Sequence, residues 1–289
     1  MNRSETYDAS WDKVGAPLAA QAASGAVADE RQYSLFKILG IWAAAVVPMA
    51  VLGWVVAPLI GDRVDLGVGD ENREAFTRAG LLTIGLIWQF VLVMGIILRE
   101  EGNLRWSTIR TRCWLNTPRD PKTGRARARL WLWLVPLLVL VALIQMAPLG
   151  DLWDTAFPFL GEPDKYSFEE VMQSDQRKAA LEGAWQLLGL FVVLGIFNTI
   201  LGEELLFRGI LLPKMRGVFG KRDWVANGVL FGLYHLHQPW TILGSILEGT
   251  LCLALPSRRY RSAWMGIILH SGQTVIFIFL ALGLVLGLA

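Results

Sequence analysis

The chain has 289 residues, 54% of them hydrophobic and 18% charged, with a mean hydropathy of +0.43 and a net charge of +2. Apolarity of this degree over this length excludes an ordinary soluble enzyme, and the composition excludes disordered, collagen-like and disulfide-stapled classes. The small net charge gives no footing for nucleic-acid binding, and the apolar residues come in long blocks between short charged stretches, the arrangement of a polytopic membrane protein.

Residues 1–34 are rich in Ala, Ser and Asp without a sustained apolar period, and predict a disordered cytoplasmic tail. No cleavable signal peptide is expected, because the first apolar run starts late and is long enough to span. Apolar runs over 37–60, 81–98 and 130–149 predict the first three spans, and 184–212 the fourth, interrupted by Glu203, Glu204 and Arg208. Two shorter stretches, 224–234 and 240–255, flank His235-Leu236-His237-Gln238-Pro239, and 263–288 is the last. The expected fold is therefore all-α, a membrane helix bundle of about seven transmembrane helices whose fifth and sixth are short and open to a re-entrant arrangement. Residues 35–183 form its N-terminal helices, with a basic inner loop over 99–129 and an acidic outer loop over 151–183, and residues 184–289 form a helical core. Such charged loops are read as solvated faces or lipid-headgroup contacts.

Charge sorting supports this division, since basic residues near span ends collect on the inner side. The tail with Lys37, the loop 99–129, the loop 214–222 and Arg258, Arg259 and Arg261 hold 20 of the 27 Lys and Arg residues. The opposite side holds six, and the remaining one is Arg208. The N-terminus is thus expected inside and the C-terminus outside, with membrane lipid as the surrounding partner. Cys113 and Cys252 share no side of the membrane and are read as free thiols.

An ionisable group at mid-span costs about 2.5–3.5 kcal/mol on insertion scales, so such groups are functional candidates. Five qualify: Glu203, Glu204, Arg208, His235 and His270. On a helix Glu204 and Arg208 share a face and can pair, while Glu203 points about 100° away. Taken alone, that pair reads equally well as a structural lock between helices. Depth favours a site: at about 1.5 Å per residue, Glu203 lies roughly 16 Å from Lys214, His235 roughly 20 Å from Arg222 and His270 roughly 14 Å from Arg261. Independent locks need not agree in height, whereas one site must. His237, beside Gln238-Pro239, is assigned to a turn near the outer end and left out.

Two carboxylates, two imidazoles and a guanidinium suit peptide hydrolysis. Arg208 would hold Glu204 ionised, leaving Glu203 as general base for water, with His235 orienting that water and His270 donating to the oxyanion. Zinc catalysis is the competing mechanism, since imidazoles and carboxylates are good ligands. No H-E-x-x-H is present and no helix carries two His at i and i+4, so no metal and no other cofactor is assigned.

The ordered motifs Glu203-Glu204-Leu205-Leu206-Phe207-Arg208, Phe231-Gly232-Leu233-Tyr234-His235 and His270 with Gln273 and Thr274 resemble those of the CPBP intramembrane proteases, also called the Abi or CAAX protease family. The resemblance covers roughly residues 184–280. It implies an intramembrane glutamic endopeptidase in which Glu203 and His235 activate water, His270 and an Asn partner hold the oxyanion, and Glu204 and Arg208 support the site. Phe231 is a motif packing residue. The expected Asn is replaced by Thr274, so Thr274 and its neighbour Gln273 are the candidates for oxyanion support. Glu248 is an intramembrane acid outside the family pattern, expected to face a polar cavity or to pair with Arg208.

The resemblance implies a substrate that is a peptide or a membrane-anchored protein, cut near the inner half of the bilayer, in a bacterial inner membrane. A non-catalytic membrane scaffold or bacteriocin-immunity protein of the same fold is the alternative. A transporter is disfavoured by the absence of an evident internal repeat.

Overall fold

The computed structural model describes residues 32–288 except Asp62. The expected disordered tail lies almost wholly outside the described residues. Its last residue, Ser34, is an N-cap whose hydroxyl accepts from the Lys37 backbone N–H at 3.3 Å.

Six helices are long and apolar enough to cross a membrane: α1 (Leu35–Ile60), α2 (Asp70–Glu101), α4 (Ala128–Met146), α6 (Trp185–Lys214), α8 (Pro239–Tyr260) and α9 (Trp264–Val285). Shorter helices include α3 (Trp106–Arg112), α5 (Leu149–Ala156) and α7 (Asp223–Tyr234). The fifth predicted stretch is α7, whose 12 residues rise only about 18 Å, short of the roughly 30 Å hydrocarbon core. It runs into a turn over residues 235–238 and returns as α8. No strand occurs among the described residues, only an isolated bridge between Arg119 and Ala126.

The helices bury one face against each other and leave apolar side chains such as Val47, Val55, Leu138, Val139 and Phe279 exposed, as a lipid solvent demands. α2 is longer than its apolar run, because a polar extension over 70–78 continues the helix beyond the hydrocarbon. Asp70 and Glu71 lie in its first turn, and Gly102, at φ 70°, ends it in the left-handed conformation.

The two ends of the bundle separate as the charge pattern predicts. At the basic end Tyr33 N–H donates to Lys214 O at 2.9 Å, and Arg258 pairs with Asp223 at 2.9 Å. Arg112 joins Glu100 at 3.0 Å, the Tyr33 hydroxyl at 2.6 Å and Gly209 O at 3.2 Å. The loop 99–129 is therefore pinned to the bundle, and Cys113 beside it is fully buried, which pushes its thiol up to about 12. At the acidic end, the segment 151–183 folds into short helices that dock on α2. Lys165 pairs with Glu74 at 2.6 Å, Asn72 donates to Arg177 O at 2.9 Å, and Val171 and Leu181 pack with Val68, Phe76 and Leu284. The solvated loop expected there is instead a packed cap.

Candidate active site

α6 carries the acidic pair and is not a regular α-helix. Its backbone widens to π-helical turns over Ile196–Gly202 and Leu205–Leu211, with Glu203 and Glu204 between them. Such turns pair residues five apart and recur at functional sites. α8 has a third, over Gly249–Ala254, facing the same region.

Glu204 is completely buried and is the centre of the charged group. Its Oε1 accepts from Arg208 Nη1 at 2.8 Å and lies 3.1 Å from His270 Nδ1. Arg208, equally buried, donates from Nη2 to Gly249 O at 3.2 Å and stacks its guanidinium 4.2 Å from the Phe231 ring centroid. The motif phenylalanine thus covers a buried cation with an aromatic face. Gly266 of α9 leaves room for this packing, since a Cβ there would run into Glu204 Oε2 and lie 3.1 Å from Ser257 Oγ.

Glu203 turns to a different set of partners. Asn198, five residues earlier, donates its amide to Oε1 at 2.7 Å and reaches Oε2 at 3.3 Å, in the orientation that satisfies both groups. Tyr234 lies beside Glu203 and its hydroxyl accepts from Gln89 Nε2 at 2.6 Å. The carboxylate is therefore held by Asn198 of α6, with Tyr234 of α7 beside it and Gln89 of α2 fixing that tyrosine.

His235 is placed by the α7–α8 hairpin. A Cβ on Gly228 would lie 2.6 Å from Thr250 N, and one on Gly232 2.8 Å from Ile246 N, so only glycine permits this backbone approach. His235 Nδ1 lies 2.9 Å from Phe231 O. A carbonyl can only accept, so Nδ1 carries the proton and Nε2 keeps its lone pair. The following turn is clamped by Arg78, which donates to His237 O and lies 4.5 Å from the Tyr166 ring and 5.5 Å from those of Trp54 and Trp240.

A cavity of about 350 Å³ opens beside these groups, lined among others by Asn198, Phe231, His235, His270, Gln273 and Glu248. Ala147, Gly150 and Gln238 also line it.

The structure joins Glu204, Arg208 and His270 directly and sets His235 and His270 on one cavity. Glu203 is buried behind Asn198. Gln273 reaches the cavity, despite its rotation from the expected face, and donates to Glu248 Oε1 at 2.7 Å. Thr274 does not line the cavity, because its methyl packs against Gly195 of α6. Glu248 faces the cavity and accepts from Gln145 at 2.8 Å, with no ion pair to Arg208. No three His, Cys, Asp or Glu side chains form a metal-ligand group among the described residues. Asn198 and Gln145 were missed in the sequence. Neither is charged, and at 100° per residue Asn198 should lie about 140° from Glu203, a separation that only the wide turn closes.

Residues 184–276, about a third of the chain, match the family model of Type II CAAX prenyl endopeptidase Rce1-like. The matched segment runs from the start of α6 into α9 and contains every group of the site except Gln145, Gln89 and Arg78. It is consistent with the CPBP resemblance and supports an intramembrane protease. No curated protein and no solved structure matches the chain significantly.

Proposed function

We propose that the chain is a glutamic endopeptidase that hydrolyses a peptide bond of a membrane-associated protein or peptide within the cavity between α4, α8 and α9. The observation that carries this is the Glu204–Arg208–His270 cluster, built at high desolvation cost and opening with His235 onto one polar cavity.

Water enters beside His235, whose bare Nε2 accepts one of its hydrogens and aims the oxygen lone pair at the peptide carbonyl. Glu203 takes up the other proton as the oxygen adds to the carbonyl carbon, and the carbonyl electron pair moves to its oxygen. His270, held through Nδ1 by Glu204, presents Nε2 to that oxyanion and donates from it when protonated. An amide is the natural second donor. Gln273 is engaged by Glu248 and Thr274 points to Gly195, so Asn198 fills this role, turning from Glu203 once the carboxyl is protonated. Glu203 then passes its proton to the departing amine as the C–N bond breaks and the C=O bond re-forms, releasing a carboxylic acid and an amine, and the acid gives up its proton to solvent or to that amine.

No step here uses a metal. The core over 184–289 is the catalytic unit, and the setting is a bacterial cell membrane with the basic end inward. The second reading, a non-catalytic scaffold, draws on the Thr at position 274 and on the burial of Glu203. Glu203→Gln in a cellular processing assay separates the two. Loss of processing is expected, retained processing removes the general base, and a retained phenotype without any processing favours the scaffold. Activity of purified protein that survives strong chelators separates glutamate catalysis from zinc.

A further inference from the structure

Glu248 is 5% exposed, lies within a membrane-spanning helix and lines the cavity that holds His235 and His270. Its two hydrogen-bond partners are neutral: Gln145 Nε2 on Oε2 at 2.8 Å and Gln273 Nε2 on Oε1 at 2.7 Å. These amides fix the carboxylate from α4 and α9, one bond to each oxygen. Two further acceptor sites on its oxygens remain.

The balance of charge around the cavity is one-sided. Glu203, Glu204 and Glu248 stand against Arg208, whose guanidinium is committed to Glu204 and Gly249 O, and His270, whose Nδ1 faces Glu204. No Lys or Arg lies within ion-pair distance of Glu248 among the described residues. A carboxylate in hydrocarbon without a counterion is costly, and two amide hydrogen bonds offset only part of that. Ser245 and Thr241, on the turns of α8 before it, also line the cavity and add neutral hydrogen-bonding groups with no charge of their own.

We infer that Glu248, held by Gln145 and Gln273, is a specificity-determining residue that binds a basic side chain of the peptide, a lysine ammonium or arginine guanidinium, beside the scissile bond. This rests on the proteolytic reading for its catalytic meaning, whereas the subsite itself is a matter of binding. A cation there supplies the missing counterion, in a cavity whose low dielectric strengthens the pairing. It also gives a reason for two glutamines to converge from separate helices on one acid that takes no part in water activation.

The test uses full-length protein in detergent micelles, carrying Glu203→Gln so that nothing is cleaved. The probes are acetylated fluorescent peptides in which one lysine is walked along a neutral apolar sequence, with norleucine and acetyl-lysine controls at each position. At one position lysine is expected to bind at least about tenfold tighter than norleucine, about 1.4 kcal/mol. Acetyl-lysine should match norleucine there, and adding Glu248→Gln should bring all three within about twofold. Glu248→Asp should keep a preference for lysine. Equal binding of all peptides, or a lysine preference that survives Glu248→Gln or acetylation, overturns the proposal. The acetyl-lysine control decides even if Glu248→Gln fails to fold. If a free N-terminus restores tight binding to the norleucine peptide, the subsite reads an amine terminus and the side-chain assignment falls. Wild-type protein that binds by lysine but cleaves none of the peptides overturns the proteolytic reading alone.

Discussion

His270 Nδ1 lies 3.1 Å from the same Glu204 oxygen that accepts from Arg208 at 2.8 Å, so one carboxylate oxygen fixes both the guanidinium and the imidazole. The chain separation of 66 residues between Glu204 and His270 is closed at a single atom. Glu204→Gln should therefore act mainly through His270. Oxyanion stabilisation should weaken, and processing should fall by about 10²–10³-fold with little change in substrate affinity. A rate assay with wild-type KM and reduced kcat is the expected signature; a raised KM with normal kcat would assign Glu204 to substrate binding instead.

Arg208→Leu removes the cation and leaves Glu204 buried without its partner. Breaking a buried pair in this way costs about 3–5 kcal/mol. The thermal midpoint in detergent should drop well below that of the wild type, and more than it does for Glu204→Gln. The measurement is a melting curve of each variant, and an unchanged midpoint for Arg208→Leu would refute a structural load on this pair.

Asn198→Ala should lower processing by about 10–100-fold, while removing a hydrogen bond worth only about 1 kcal/mol of stability. If the amide of Asn198 does the work expected of an Asn at position 274, then Thr274→Asn alone should give no gain, but should recover part of the loss in the Asn198→Ala background. Rates of the two single variants and the double variant decide this. A double variant no better than Asn198→Ala removes the link between the two positions.

Gly232→Ala inserts a methyl where the Ile246 backbone nitrogen is 2.8 Å away. The α7–α8 hairpin has to open, at about 1–3 kcal/mol for overpacking. Because His235 ends α7, activity should fall together with stability. Gly40, whose added Cβ would meet nothing within 4 Å, is the control, and Gly40→Ala should be silent in both assays.

Cys113 should resist alkylation of the folded protein at pH 8. With its thiol raised to about 12, only roughly one molecule in 10⁴ carries the reactive thiolate there. Reactivity should rise about tenfold per pH unit toward 12 in folded protein and become rapid at pH 8 after denaturation. Mass-shift labelling across pH reads this directly, and fast labelling of folded protein at pH 8 would contradict its burial against Gly209.

Much of this arrangement is legible in the sequence because a bilayer imposes simple rules. Apolar run length marks α1, α4, α6, α8 and α9, and charge asymmetry separates the two ends. The motif spacing carries Glu204 to Arg208, and equal depth carries His270 to Glu204. Hydropathy stops short on α2, because residues 70–78 are polar and still helical, tied down by Lys165, Gln176 and Arg177. The neutral members of the site have no such signal. Asn198 comes into register only through a π turn, and Gln145 meets Glu248 across 103 residues. Thr274 occupies a position where the motif anticipates a polar donor, yet close packing on Gly195 turns its methyl inward.

The widened stretch Ile196–Gly202 has a consequence for insertions and deletions. A turn that closes over five residues holds one more residue than an α turn, so α6 contains spare chain at the depth of the site. Deleting one residue between 196 and 202 would let the helix relax to ordinary winding without moving its ends far. The segment before the deletion would stay in register with its lipid surroundings, while Asn198 would swing away from Glu203. A one-residue shortening in this stretch is therefore expected to leave the protein inserted and folded but inactive.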